Sequence, residues 1–359
     1  MPLHASVEKR VFHFSFKAKT SRGSMEERAS WFLKIRNESV VGIGEAGPLP
    51  GLSNDDVEDY EEVLLRIVDR FNNAALDEKD IERSLKGVSI VLNQLIPEAL
   101  KYSSIAFAFE QALLDLLHGG QRLIFDNSFV RGQPIPINGL IWMGGMDYML
   151  QQIEIKIRDG FKCIKLKVGG MNFEKECDIL QYVRRKYFRD QITVRLDANG
   201  SFKEEDAFYK LLELARFDVH SIEQPVKKGS ALLPKLCADS PIPIALDEEL
   251  IGARSTAEKT KILDGAKPQF IVLKPSLHGG LASCEEWIRL AEERSIGWWL
   301  TSALESSIGL NAIAQFTANY PIKLPQGLGT GKIYDDNIES PLTISEGQLA
   351  YRQSQPNWG

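Results

Sequence analysis

The sequence has few of the residues that build disulfide frameworks or zinc sites. Its 359 residues contain four cysteines, Cys163, Cys177, Cys237 and Cys284, and none of them forms a CxxC pair. Five histidines are present, without an HxH or HExxH spacing. Scattered thiols are typical of a reducing compartment, so we expect a cytoplasmic protein with reduced cysteines and no zinc centre.

Long apolar runs and an excess of positive charge are also missing. No uninterrupted apolar stretch approaches the roughly 20 residues that a membrane helix needs. The N-terminal residues alternate between polar and apolar types, unlike the apolar core of a signal peptide. The net charge is −6, which gives no support to a nucleic-acid partner. We therefore expect no membrane insertion and no nucleic-acid binding.

The N-terminal part of the sequence predicts a mixture of strands and helices. Strand-like runs occupy residues 10–18, 30–36 and 40–44, and helical patterns occupy residues 55–73 and 103–118. In the second helical pattern the apolar residues recur at three- and four-residue intervals, which is typical of one buried face. We therefore expect an α+β unit at this end of the chain.

From about residue 134 onward, short apolar runs alternate with amphipathic helical patterns. The eight runs are residues 137–141, 163–167, 192–197, 219–223, 242–247, 269–274, 296–301 and, more weakly, 322–325. Strand–helix alternation is typical of parallel βαβ units. Eight strands favour a TIM-type barrel, because the alternative, a doubly wound open sheet, normally needs fewer.

Five successive runs of this series end in an ionisable residue. They are Lys167, Asp197, Glu223, Asp247 and Lys274, each about one βα unit after the last. A single carboxylate at a strand end most often caps the next helix. One charged residue on each of five strands is poorly explained by caps, and the carboxyl ends of barrel strands form the rim where active sites lie. We therefore predict an active site that contains all five.

The residue types at these strand ends indicate a particular chemistry. Three converging carboxylates raise one another's pKa unless a cation holds them, and oxygen ligands suit Mg²⁺. Lys165 and Lys167 point to the same side of their strand, as do Arg195 and Asp197. An ammonium beside another loses proton affinity, so Lys165 is expected to help Lys167 act as a base.

Several short segments resemble motifs of the enolase superfamily, in particular its muconate-lactonizing-enzyme subgroup. The similarity covers almost the whole chain. The segments are LDANG (196–200), IEQP (222–225), LDEE (246–249), LKPSLHGG (273–280) and GEAGPLPGLS (44–53). The resemblance implies an α/β fold, a modified TIM barrel of the (β/α)7β type with an N-terminal α+β capping domain.

The resemblance also implies domain boundaries and a site. The capping domain would span residues 1–133, completed by 326–359, and the barrel residues 134–325. The capping loop near Thr20–Met25 and the segment 48–53 would close the site and help to select the substrate.

The metal and the bases also follow from the resemblance. Asp197, Glu223 and Asp247 would bind Mg²⁺, with Mn²⁺ able to substitute. Lys167 would remove a proton α to a carboxylate, giving an enediolate, and Lys274 would lie on the other face of the substrate. The partner is then a small carboxylate.

Within the subgroup, three features resemble the o-succinylbenzoate synthase family, which acts in menaquinone biosynthesis. They are Arg195, the segment SALESSIG (302–309) and the segment GLGT (327–330), where Gly329 stands at a position that is often Asp. The reaction would be the syn-dehydration of 2-succinyl-6-hydroxy-2,4-cyclohexadiene-1-carboxylate to 2-succinylbenzoate. The expected substrate contacts are Arg195, Asn199, Ser302, Ser306 and Gly327.

Other readings remain open on the sequence. An N-acylamino acid racemase or a dipeptide epimerase would use the same five residues, with both lysines as bases. The epimerases typically carry an Asp-x-Asp near the eighth strand, whereas residues 323–329 contain no carboxylate. A Schiff-base aldolase barrel is disfavoured by the three carboxylates. A barrel without catalytic activity is disfavoured because the lysines and carboxylates are all intact.

Overall fold

Three antiparallel strands open the chain in the computed structural model, which describes residues 2–20, 23–352, 354 and 358. They are β1 (His4–Thr20), β2 (Gly23–Arg36) and β3 (Val41–Ala46), in the order β1-β2-β3. The first two extend well beyond the predicted runs, because they pair with each other along a hairpin that reaches from His4 and Arg36 to Thr20 and Gly23. At the start of β1 the side chains also alternate, since Ala5 is buried between the exposed His4 and Ser6.

Three helices follow: α1 (Tyr60–Asn73), α2 (Leu85–Leu95) and α3 (Ser103–Leu117). Helix α3 packs closely on β3, where Gly42 and Gly44 leave space for its backbone. A Cβ at either glycine would lie 2.0 Å from a carbonyl oxygen of α3. Helix α2 was not predicted, although Ser84 caps its start by accepting a hydrogen bond from the Gly87 amide.

The second part of the chain is a curled parallel sheet with helices between its strands. A two-residue strand, β4 (Ile135–Pro136), precedes it. The sheet strands are β5 (Gly139–Ile141), β6 (Cys163–Lys167), β7 (Thr193–Asp197), β8 (Ser221–Glu223), β9 (Ile244–Leu246), β10 (Phe270–Leu273) and β11 (Gly297–Leu300), each paired with the next. The helices are α4 (Met146–Arg158), α5 (Phe173–Lys186), α6 (Glu204–Ala215), α7 (Leu233–Asp239), α8 (Thr256–Ala266), α9 (Gly280–Glu292) and α10 (Ser307–Thr317). In the described part of the chain, no helix is long and apolar enough to cross a membrane.

The eighth strand was predicted in the wrong place. Residues 322–325 form no strand, and the sheet is instead closed by the next two residues. Gln326 pairs with Ile137 and Gly327 pairs with Thr301, both in parallel orientation. Pro325 has no N–H to donate to a strand ladder, so pairing begins only after it.

The C-terminal segment returns to both parts of the molecule. Strands β12 (Leu342–Ser345) and β13 (Gln348–Tyr351) form a hairpin that pairs with β4. Tyr334 forms an antiparallel bridge with Phe14 of β1. The domain boundaries at residues 133 and 326 stay a prediction, since the chain runs continuously through these contacts.

Candidate active site

The five predicted charged residues come together at the carboxyl ends of β6 to β10. Lys167 lies opposite Asp197 in the sheet register, and Asp197 lies opposite Glu223. Asp247 and Lys274 directly follow β9 and β10. The three carboxylates and Lys274 are buried, so their charges interact with little screening by solvent.

Each of these carboxylates is held by a lysine. The Lys165 ammonium contacts Glu223 and lies 3.0 Å from Asp197 Oδ2. Lys167 Nζ donates to the same Asp197 oxygen at 3.0 Å and to Asn199 Oδ1 at 2.7 Å. Lys274 contacts Asp247. In this arrangement lysine ammonium groups occupy one oxygen of each carboxylate, and among the described residues no three His, Cys, Asp or Glu side chains are grouped as metal ligands.

Two oxygens of this carboxylate cluster nevertheless have no hydrogen-bond partner among the residues that the structure describes. Glu223 Oε1 and Asp247 Oδ1 are both buried, and an unsatisfied buried charge is costly. Burial raises the pKa of Glu223, and the carboxylates of Asp197 and Asp247 raise it further against the effect of Lys165. A hard divalent cation would satisfy the free oxygens and relieve this repulsion. The donor set therefore fits Mg²⁺.

The ammonium groups and the carboxylates stabilise each other's charged forms. Burial alone would lower the pKa of Lys165, but three carboxylates outweigh it and hold that pKa above its usual range. The pKa of Lys274 is also raised, because the charges of Asp247 and Glu248 outweigh the effect of burial. Burial opposes the charge of Asp197, but Lys165 and Lys167 hold its pKa below the usual range.

A cavity opens above this charged cluster. Its polar side presents Lys165, Lys167, Asp197, Asn199 and Lys274. The remaining walls come from both parts of the chain: Met25, Leu49, Pro50, Leu52, Asn138, Leu140, Trp142, Thr301, Ser302, Ala303, Leu304, Gly327, Gly329 and Thr330. The cavity is thus charged on one side and largely apolar on the other.

The capping segments predicted to close the site lie partly on this wall. Met25 belongs to the predicted capping loop, and Leu49, Pro50 and Leu52 belong to the segment 48–53. Ser21 and Arg22 of that loop lie outside the described residues.

Three of the five predicted substrate contacts line the cavity, namely Asn199, Ser302 and Gly327. Arg195 does not. It is fully buried below the rim, two residues before Asp197 on β7, where its guanidinium lies 4.0 Å from the Trp299 ring centre and donates to the Pro325 carbonyl at 2.8 Å. The alternation of side chains along a strand indicated that Arg195 points into the barrel, but it did not indicate that the residue lies below the cavity.

Ser306 is the other predicted contact that does not line the cavity. Its hydroxyl accepts a hydrogen bond from the Ile308 amide at the start of α10 and donates to Glu45 Oε2 at 2.6 Å. Glu45 also accepts from the Gly309 amide at 3.0 Å. Ser306 therefore caps a helix and joins it to β3.

Sequence reasoning missed several polar residues around the cavity. Glu305 accepts from the Ser302 hydroxyl at 2.6 Å and from the Ser276 hydroxyl at 2.5 Å, so it orients the cavity wall. Asn138 lies just before the first sheet strand, where no motif marks it, and its only signal was parity, since it shares a face with Leu140. Thr330 is the last residue of the GLGT segment, but it was not among the predicted substrate contacts.

Comparisons with known proteins show the family to which the chain belongs. A family model described as enolase C-terminal domain-like matches residues 148–356. The chain is 41% identical over 352 residues to the o-succinylbenzoate synthase of Desulfotalea psychrophila, which covers 94% of this chain and 95% of that protein. It belongs to the enolase superfamily, in the muconate-lactonizing-enzyme subgroup.

Solved structures show the same fold. The crystal structure of MenC from Desulfotalea psychrophila has a TM-score of 0.84 and 38% identity, covering 98% of this chain and 100% of that chain. A dipeptide epimerase from Cytophaga hutchinsonii, complexed with Mg and the dipeptide D-Ala-L-Val, has a TM-score of 0.81 and 20% identity, with 99% and 97% covered. The second similarity concerns the fold alone.

Proposed function

We propose that this protein is an o-succinylbenzoate synthase, a hydro-lyase of menaquinone biosynthesis. It dehydrates 2-succinyl-6-hydroxy-2,4-cyclohexadiene-1-carboxylate to 2-succinylbenzoate and water. The choice of reaction is carried by the 41% identity to the Desulfotalea psychrophila enzyme across 94% of the chain. The four free cysteines support a reducing, cytoplasmic location.

The cavity suits this small carboxylate. The ring carboxylate can lie against the charged cluster, and the six-membered ring can lie against Leu140, Trp142 and the capping segment at Leu49. Asp197, Glu223 and Asp247 would hold Mg²⁺, or Mn²⁺ in its place. The bound metal supplies positive charge beside the substrate carboxylate, which stabilises charge that develops there.

Lys167 carries the proton transfers in this proposal. As the neutral amine, its Nζ removes the proton from the carbon α to the carboxylate, leaving an enediolate. The same nitrogen, now an ammonium, returns a proton to the leaving hydroxyl on the same face, so that a C–O bond breaks, water departs and the ring becomes aromatic. Asp197 and Asn199 accept hydrogen bonds from Lys167 Nζ and orient it.

Lys274 has a different role from Lys167. Its pKa lies above the usual range because Asp247 and Glu248 outweigh the effect of burial, so it is a poor base and a constant positive charge. From its strand across the carboxylate cluster, that charge stabilises the enediolate. Lys165 is held by Glu223 and Asp197 and keeps a second charge beside Lys167.

The alternative function is that of an N-acylamino acid racemase or dipeptide epimerase. Lys167 and Lys274 both line the cavity from different strands, which is the arrangement that two-base proton exchange requires. The region after β11 offers no carboxylate to an ammonium substrate, because residues 323–329 contain none.

The test follows the ultraviolet absorbance of 2-succinylbenzoate as the cyclohexadiene substrate is converted. We expect the Mg²⁺-loaded protein to turn over and EDTA to abolish the rate, with recovery on added Mg²⁺, because the three carboxylates need a cation to bind the anionic substrate. If the loaded protein instead fails to dehydrate this substrate but exchanges the α-proton of N-succinyl amino acids or dipeptides with solvent deuterium, the alternative holds.

A further inference from the structure

A second cavity adjoins the active site on the side of the first barrel strand. Its outer wall includes Phe16 of β1, Tyr148 and Lys156 of α4, Phe161 and Lys332. It shares five wall residues with the catalytic cavity, namely Asn138, Leu140, Trp142, Gly329 and Thr330. These five residues form the partition between the two spaces, and we call this region the seam.

The seam lies where isolated backbone bridges, instead of a continuous strand, close the barrel. In the described chain, the closing segment is bridged to the first-strand side at Ile137 and Gln326 and to β11 at Thr301 and Gly327. Beyond these bridges the segment that contains Gly329 leaves the sheet. Gly329 contributes no side chain to the partition, and a Cβ there would lie 3.1 Å from the Asn138 carbonyl oxygen.

Positive charge lies behind the partition. Lys156 is half-buried, and its Nζ lies 5.0 Å from the Phe161 ring centre. No hydrogen bond or ion pair to a carboxylate involves Lys156 among the described residues. Burial lowers the pKa of Lys156, and the Lys332 ammonium lowers it further against the effect of Asp159. An anion in the cavity would stabilise both ammonium groups.

Two buried polar atoms in the partition have no hydrogen-bond partner within the described part of the chain. They are Asn138 Oδ1 and Thr330 Oγ1, and their residues are only 4% and 5% exposed. Both residues face both cavities. The two ends of an Asn amide are interchangeable at little cost, so Asn138 and Thr330 can each present a donor to a ligand oxygen.

We propose that the seam binds the far carboxylate of a dicarboxylate substrate. Asn138 and Thr330 donate hydrogen bonds to it, and Lys156, with Lys332 behind it, supplies the opposing charge. The inference rests on the proposed function, in which the ring carboxylate lies on the metal side and the succinyl group extends away from it. The second negative charge of the substrate then lies beside Lys156 and Lys332, at an end of the cavity that also offers Asn138 and Thr330 as donors.

The test compares two probes that differ in that carboxylate alone. In 2-succinylbenzoate the chain ends in a carboxylate, and in 2-butyrylbenzoate it ends in a methyl group. Calorimetry on the Mg²⁺-loaded protein should show the succinyl compound binding at least about tenfold more tightly, as expected for a charge-assisted contact. Lys156→Met and Thr330→Val should each reduce this preference to about threefold or less.

Lys210→Met provides the matched control. Lys210 lies on α6 and, like Lys156, holds its ammonium 5.0 Å from an aromatic ring, that of Phe202, but it does not line either cavity. This variant should keep the full preference. Equal binding of both probes to the wild type, or an unchanged preference in both seam variants, would overturn the proposal. Since the comparison needs no turnover, a failure to dehydrate the substrate would count against the proposed function alone.

Discussion

Lys167 and Lys274 line one cavity but have different surroundings, and the proposed mechanism gives them different roles for that reason. Lys274 contacts Asp247 and is held charged by it and by Glu248, whereas Lys167 contacts Asp197 and a neutral amide, Asn199. A lysine that only supplies charge can be replaced by another cation, while a base cannot be replaced by arginine, which stays protonated.

Replacement of Lys274 tests this difference. Lys274→Arg should keep measurable dehydratase activity, within about a hundredfold of wild type, and Lys274→Met should lose at least a further tenfold, because a lost electrostatic contact of this kind costs ~3 kcal/mol. Initial rates at saturating substrate measure both. Equal activity of the two variants would show that the charge of Lys274 does not matter.

A buried glutamate connects β2, β3 and the start of α10 beside the site. Glu45 at the end of β3 accepts hydrogen bonds from the Ser30 hydroxyl at 2.8 Å and from the Ser306 and Gly309 amides at 3.0 Å each. These bonds fix the start of α10 against the N-terminal sheet, directly after the Ser302–Leu304 wall of the cavity.

Glu45→Gln should destabilise the protein and loosen that wall. We expect a loss of ~2 kcal/mol in the free energy of unfolding, since an amide replaces a buried acceptor of several charge-assisted bonds, and a higher KM. Glu61→Gln is the control, because Glu61 pairs with Lys9 at the surface and should change stability by less than ~1 kcal/mol. Urea denaturation measures the unfolding free energy of both variants. Equal stability of Glu45→Gln and Glu61→Gln would contradict the structural role of Glu45.

At the scale of the whole molecule, the N-terminal unit and the barrel meet at a buried carboxyl group. Glu110 of α3 accepts hydrogen bonds from the Leu281 and Ala282 amides at the start of α9. Burial raises the pKa of Glu110 to about 8, with a small contribution from Glu285. The unfolded chain loses this proton near the ordinary value of 4.5, so the folded protein binds more protons between these two values.

Stability should therefore fall as pH rises through this window, because the folded state must give up a proton that it holds more tightly. Glu110→Gln removes the titrating group, and its unfolding free energy should decline less between pH 5 and pH 8, by ~1 kcal/mol or more. Urea titrations at several pH values measure how the unfolding free energy of each protein changes with pH. The same pH dependence for wild type and variant would contradict a raised pKa at Glu110.

Much of this molecule could be predicted from local sequence signals. The strand–helix alternation placed seven barrel strands to within about two residues, since each βα unit carries its own periodicity. The closing strand was misplaced because it is only two residues long and is defined by its neighbours, Ile137 and Thr301, rather than by its own pattern. Helix α2 was not predicted, since Gly87 and the β-branched Val88, Ile90 and Val91 have low helix propensity.

The site shows the same division. Charged residues at strand ends stood out because such residues are rarely buried without a reason. The sequence did not separate Ser302, which lines the cavity, from Ser306, which caps α10. Both lie in one serine-rich segment, and only the path of the chain determines which of them faces the cavity. Asn138 and Thr330 meet only after the barrel has closed.

The proposed mechanism depends above all on Lys167 as the base, and the dehydration rate of Lys167→Ala tests this role. The purified variant should remain folded and bind Mg²⁺, because Asp197, Glu223 and Asp247 are retained. We expect kcat to fall by at least ~1,000-fold, because the variant lacks the general base. A folded, metal-loaded Lys167→Ala protein that forms 2-succinylbenzoate within tenfold of the wild-type rate would contradict this role of Lys167.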